Sequence, residues 1–140
     1  MTTFVDDSTD ERAFEADPSA IGAARSFVTS RDGVEGELAD SLALVTSELA
    51  SNAVLHARTP FVVRVGEVDG QVRVSVFDHS VRLPERRPLG PDAVTGRGLA
   101  IIESLADVWG VEVVDGGKWV WAVVAADERR PVGPGGRTSG

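Results

Sequence analysis

No cysteine occurs among the 140 residues, which excludes thiol nucleophiles, disulfide scaffolds and thiolate metal sites together. Lysine is nearly absent as well, supplying one of the 14 basic residues while Arg supplies the rest. Arg is planar and pairs bidentately, whereas Lys is a flexible point charge, but that bias alone names no function. Positive charge is scarce overall. A net charge of −8 argues against a nucleic-acid surface, because phosphate contacts need clustered Lys and Arg. No apolar run approaches the roughly 20 residues of a membrane span. The start, MTTFVDDSTDER, is acidic and polar, the opposite of a signal peptide. A cytoplasmic protein with no direct nucleic-acid or membrane partner is the expectation. What is present is ordinary for a globular domain: 42% apolar and 26% charged residues, in a length that suits one domain with a real core.

Residues 1–10 and 126–140 are polar, the latter rich in Gly and Pro, and both are expected to be mobile. Residues 11–125 read as the domain, with no internal repeat or linker. ERAFEAD (11–17) reads as a short edge strand. Asp17-Pro18 then opens a helix, with Asp as N-cap and Pro at the first helical position, over SAIGAARSFVTSR. From Glu35 to about Ala57, Leu38, Leu42, Val45, Leu49 and Ala53 recur at three and four, which is a long amphipathic helix.

The period then switches to two. PFVVRVGEV and QVRVSVFD are joined at Asp69-Gly70, a strong hairpin signal. A long loop follows over 79–98, of the kind that is commonly a functional lid. A third helix, GLAIIESLADVWG, carries Leu99, Ile102, Leu105 and Ala106 on one face. VEVVDGGKWVWAVVA closes the domain as a second hairpin around Asp115-Gly116-Gly117. Helices and hairpins arrive in blocks, so the fold class is α+β: a two-layer sandwich whose mixed, mostly antiparallel sheet is covered on one face by helices. Trp119 and Trp121 share one sheet face by alternation, and core packing is the use expected of them, although one exposed Trp would suit an interface.

Within SELASNAVLH (47–56), three polar residues interrupt the apolar pattern. At about 100° per residue, Asn52 and His56 fall within roughly 20° of Val45 on the helix wheel, and Glu48 at roughly 60° on the stripe's edge. A carboxylate or amide facing the sheet costs several kcal/mol unless a polar partner meets it. Hydrogen bonds to a neighbouring loop would suffice. The sharper reading is a ligand pocket between helix and sheet, with Asn52 as an oxygen ligand for Mg²⁺ and Glu48 polarising a water or hydroxyl. His56 reads as a helix-end residue satisfying local backbone. Asp78, closing the second strand, could accept a hydrogen bond from an exocyclic amine such as that of adenine. TGRGLAII (95–102) places Gly96 and Gly98 before a helix start, where backbone can approach a phosphate.

In that order these motifs resemble the GHKL, or Bergerat-fold, ATP-binding domain of gyrase, histidine kinases and anti-sigma-factor serine kinases. ELASNAVLH resembles the N motif, Asp78 the acidic residue of the first Gly box, GRGLAII the second Gly box, and GKWVWAVV the closing strand. The likeness spans roughly residues 11–125. It implies ATP and Mg²⁺ as cofactors. Glu48 would be the catalytic base, Asn52 the Mg²⁺ ligand, Asp78 the adenine contact, and Gly96, Arg97, Gly98 and Leu99 the phosphate-binding turn. Arg86, Arg87 and Arg97 of the lid could also reach phosphates. A compact single domain is most similar to the bacterial anti-sigma serine/threonine kinases, whose partners are a sigma factor and an anti-anti-sigma antagonist protein, with a homodimer as a possibility. A sensor kinase would need a phosphoacceptor-helix domain upstream.

One motif departs from the pattern. Where the family has Asp-x-Gly-x-Gly, this chain has Asp78-His79-Ser80-Val81-Arg82. Ser and Arg do not readily adopt the backbone conformations open to glycine. Beside the kinase reading therefore stands a protein-binding module that keeps the fold with weakened or absent catalysis. ATP hydrolysis driving large motions, as in gyrase, is the least favoured reading, since the chain shows no transducer domain.

Overall fold

The computed structural model of the chain describes residues 9–80 and 100–125. Strand β1 (Asp10–Phe14) leads to helix α1 (Ser19–Thr29) and helix α2 (Gly36–Ser51), which continues as a π-helical turn over Asn52–Ala57. Strands β2 (Phe61–Val68) and β3 (Gln71–Asp78) form the first hairpin. Residues 100–105 are helical (α3), and β4 (Val108–Val114) and β5 (Gly117–Ala125) form the second hairpin. Most of the 79–98 loop and of the expected mobile ends lies outside the described residues.

Local chemistry sets each boundary. Asp17 Oδ1 accepts the Ser19 N–H at 3.0 Å and the Asp17 carbonyl accepts that of Ala20, so Asp17 satisfies donors that the first turn of α1 leaves open. Asp69 and Gly70 both have positive φ, 49° and 80°, the geometry of a two-residue turn whose twist matches its strands. Second-hairpin pairing begins at Val108, so Trp109 and Gly110, read from sequence as the end of the third helix, belong to β4. There Gly110 lies against Trp121: a Cβ on it would meet the indole at 2.7 Å.

The sheet order is β1-β2-β3-β5-β4 and every pairing among the described residues is antiparallel. The sheet is thus antiparallel throughout the described residues, and the parallel pair that a mixed sheet would contain is not found there. Alternation points Phe61, Val63 and Val65, Val72, Val74 and Val76, and Val120, Ala122 and Val124 toward the helices. Ala20, Ala24 and Val28 of α1, the five apolar positions read along α2, and Ile102 of α3 close over them. Each fully buried Val, Leu or Phe contributes about 1.5–3 kcal/mol.

Trp119 and Trp121 are not in that core. Their register places them on the helix-free face, half-buried, because Lys118 and Val120 take the inward positions beside them. Arg64 stacks over Trp119 with its guanidinium carbon 4.3 Å from the ring centroid, and Arg73 over Trp121 at 4.5 Å. Of the three tryptophans, Trp109 on β4 is the one packed against the core.

One core group is unsatisfied. Thr46 of α2 is fully buried and its hydroxyl has no hydrogen-bond partner among the described residues. An unpaired buried hydroxyl costs about 1–3 kcal/mol. Thr46→Val keeps the shape and removes that cost, so denaturant unfolding should show a gain of about 1 kcal/mol. A loss of that size would mean the hydroxyl is bonded in solution.

Candidate functional site

The site lies where α2 runs out and three strands meet. After the π-helical turn the chain passes through Arg58, Thr59 and Pro60 into β2, whose first residue, Phe61, pairs with Asp78 at the end of β3. Asp78 pairs in turn with Lys118 at the start of β5. Thr59 Oγ1 accepts the His79 N–H at 3.1 Å, stitching the exit of the helix to the exit of β3. The left-handed Arg58 (φ 59°) ends the π turn, donating its N–H to the Ala53 carbonyl at 2.7 Å.

Glu48 sits on the last turn of α2 and Asn52 on the first residue of the π turn. The Asn52 backbone N–H bonds back to the Glu48 carbonyl, so the two stand one turn apart. Both side chains are half-buried, and neither finds a hydrogen-bond or ion-pair partner among the described residues. Desolvation holds the Glu48 carboxyl above the usual glutamate range. His56 does not join them. It is exposed, contrary to the helix-wheel reading, which assumed a regular α-helix where the chain forms a π turn with each N–H bonded five residues back. Such turns occur frequently at functional sites.

Asp78 is in a different situation. It is 2% exposed and Lys118 is 3% exposed. The Lys118 ammonium Nζ lies 2.8 Å from Asp78 Oδ1, 3.0 Å from Oδ2 and 3.2 Å from the Ser80 carbonyl, which accounts for all three of its donors. Asp78 Oδ1 also accepts the Ser80 N–H at 2.9 Å. The segment that lacks the family's glycine is therefore turned by Asp78 itself, and Ser80 is not among the non-glycine residues with positive φ. Gly117 permits the approach: a Cβ there would fall 2.0 Å from the Asp78 carbonyl oxygen.

A family model described as the histidine kinase-like ATPase domain matches residues 14–124, nearly the whole span from β1 to β5. The chain belongs to this family. No curated protein matches it. A histidine kinase-like ATPase domain is an ATP-binding domain. Among the described residues there is no group of three or more His, Cys, Asp or Glu able to hold a metal. A divalent cation here would rest on one or two protein oxygens and on ligand phosphates, the usual habit of Mg²⁺. Asn52 and Glu48 fit that role. Asp78, with its carboxylate already paired, does not fit a base contact in the arrangement seen. Gly96, Arg97, Gly98 and Leu99 lie outside the described residues, as do Arg86 and Arg87. No helix among those described is long and apolar enough to cross a membrane.

Sequence reasoning missed Lys118. The signal was present, since it is the sole lysine and alternates with Val120, Ala122 and Val124 on a strand whose inward face is apolar. A charge in such a row needs a buried counter-ion, and the carboxylate ending the neighbouring strand supplies it.

The raised Glu48 pKa means that the folded chain holds that proton more tightly than the unfolded chain. Stability therefore falls as pH rises through the unfolded glutamate range, about 4.3, toward the folded value. Glu48→Gln should melt at a higher temperature than the parent at neutral pH, with the gap closing by about pH 4. A gap that stays constant across this range would mean the carboxyl is not desolvated.

Proposed function

We propose that this domain binds MgATP and acts as a partner-switching regulator, an anti-sigma factor that phosphorylates a serine or threonine on a small antagonist protein. The observation that carries the reading is the pair Glu48 and Asn52. Two polar side chains held half-buried without partners among the described residues cost stability, and a ligand that needs both offsets that cost. The Asn52 amide oxygen suits Mg²⁺, and it adds no charge to a carboxylate neighbour. Glu48, with its affinity for protons increased by desolvation, is suited to accept the proton of a substrate hydroxyl. Bound MgATP supplies the γ-phosphoryl group, and the protein's part in such transfers is mostly positioning and charge neutralisation. The phosphate-facing residues would be Gly96, Arg97, Gly98 and Leu99, as the family resemblance implies.

A second reading keeps the fold and the partners without the chemistry. The pairing of Asp78 with Lys118 favours it, because a carboxylate consumed internally leaves less of the site to hold a nucleotide. Transfer of labelled phosphate from ATP to candidate antagonist proteins separates the two. The kinase reading expects Glu48→Gln to lower transfer by about 10²–10⁴-fold with MgATP affinity retained. Unchanged transfer in Glu48→Gln removes that residue from the chemistry. Capture of the antagonist with no transfer by the parent protein selects the second reading.

A further inference from the structure

The Asp78–Lys118 pair is more than a strand-end salt bridge. Both groups are nearly inaccessible, all three ammonium donors are used, and the carboxylate holds Lys118 and the Ser80 N–H at once. Oδ2 keeps one acceptor position, but it is buried with the pair, so an exocyclic amine could reach Asp78 only by moving the ammonium aside. Lys118 would then be left buried without its counter-charge, an outcome far less favourable than the pair. Arg64 and Arg73 cannot take over as partners for Asp78, since they lie across the sheet on the tryptophan face.

We propose that Lys118 occupies the place that a purine 6-amino group would take on Asp78, so that the site holds a nucleotide through its phosphates and metal and does not read the base. The proposal rests on the reading that MgATP binds beside Glu48 and Asn52. Lys118 is thus a specificity-determining residue: by filling the one carboxylate buried at this end of the sheet among the described residues, it removes the group that would distinguish adenine. A hydrogen bond from an amine to a free carboxylate would favour ATP by roughly 10- to 100-fold over an analogue lacking that amine. With the carboxylate taken, that preference disappears.

The test compares ATP with purine riboside 5′-triphosphate, which lacks the 6-amino group, by calorimetric titration in Mg²⁺. The two affinities are expected to agree within about threefold, the preference a free carboxylate would give being absent. Because Lys118 is the sole lysine, amine acylation located by peptide mass spectrometry distinguishes it from the α-amino group. Lys118 should stay protected with either nucleotide bound. An ATP preference of tenfold or more that Asp78→Asn abolishes overturns the proposal, and so does acylation of Lys118 induced by ATP.

Lys118→Met frees the carboxylate, and the folded variant should gain an ATP preference of roughly tenfold or more. A folded variant that binds both nucleotides equally also overturns the proposal. If the variant does not fold, the two measurements on the parent protein decide alone. Binding of neither nucleotide to either protein overturns the underlying reading along with the proposal. It is told apart from failure of the proposal alone by Asn52→Ala, which weakens MgATP binding only if the underlying reading holds.

Discussion

A single ammonium inside an apolar sheet face has to be neutralised where it lies, and much of the architecture at this end of the domain follows from that requirement. Asp78 is the counter-charge. For the two to meet, β5 must run beside β3 in a register that puts Lys118 opposite Asp78. Gly117 must precede the lysine, because any side chain there would collide with the Asp78 carbonyl. Once formed, the pair fixes both polar groups of the Ser80 backbone and so sets the direction in which the chain leaves β3. Removing either charge from such a pair costs about 3–5 kcal/mol, although the intact pair is not necessarily more stable than apolar residues of similar volume. Its contribution is to specify one arrangement of strands and loop.

The neighbouring half of the site has the opposite character. Glu48 and Asn52 stand at the point where α2 gives way to the π turn, half-buried and unpartnered among the described residues. One half is closed by an internal ion pair, while the other keeps polar groups whose interactions are not made within the described chain. On the proposed reading, the open half would be a metal-and-phosphate subsite. The closed half explains how the chain dispenses with the first glycine of the usual motif, where Ser80 stands. Glycine lets backbone adopt conformations closed to other residues, but here an aspartate side chain and a lysine hold the turn at Ser80 without positive φ.

Much of this was legible in the sequence. The apolar positions of α2, the Asp69-Gly70 turn and the edge strand are local signals, and local physics decides them. The family was readable because Glu48, Asn52, Asp78 and the Gly96–Gly98 turn occur in a fixed order along the chain. What was not legible depends on register and on helix type. A helix wheel assumes one angle per residue, so it carried His56 to the sheet face when the π turn leaves it exposed. Alternation showed that Trp119 and Trp121 share a face but not which one. The burial of Val120, Ala122 and Val124 decides that, and the inward position it gives Lys118 becomes tolerable only with Asp78 placed opposite. The start of β4 at Val108 was hidden because Val108, Trp109 and Gly110 suit a helix end as well as a strand.

The central claim is that Glu48 and Asn52 are kept half-buried for a metal-bound nucleotide. Calorimetric titration of the domain with ATP, with and without Mg²⁺, tests it most directly. Binding that requires Mg²⁺ and is lost in Asn52→Ala is the predicted result. Absence of binding at millimolar ATP, or binding indifferent to both Mg²⁺ and Asn52, would contradict it.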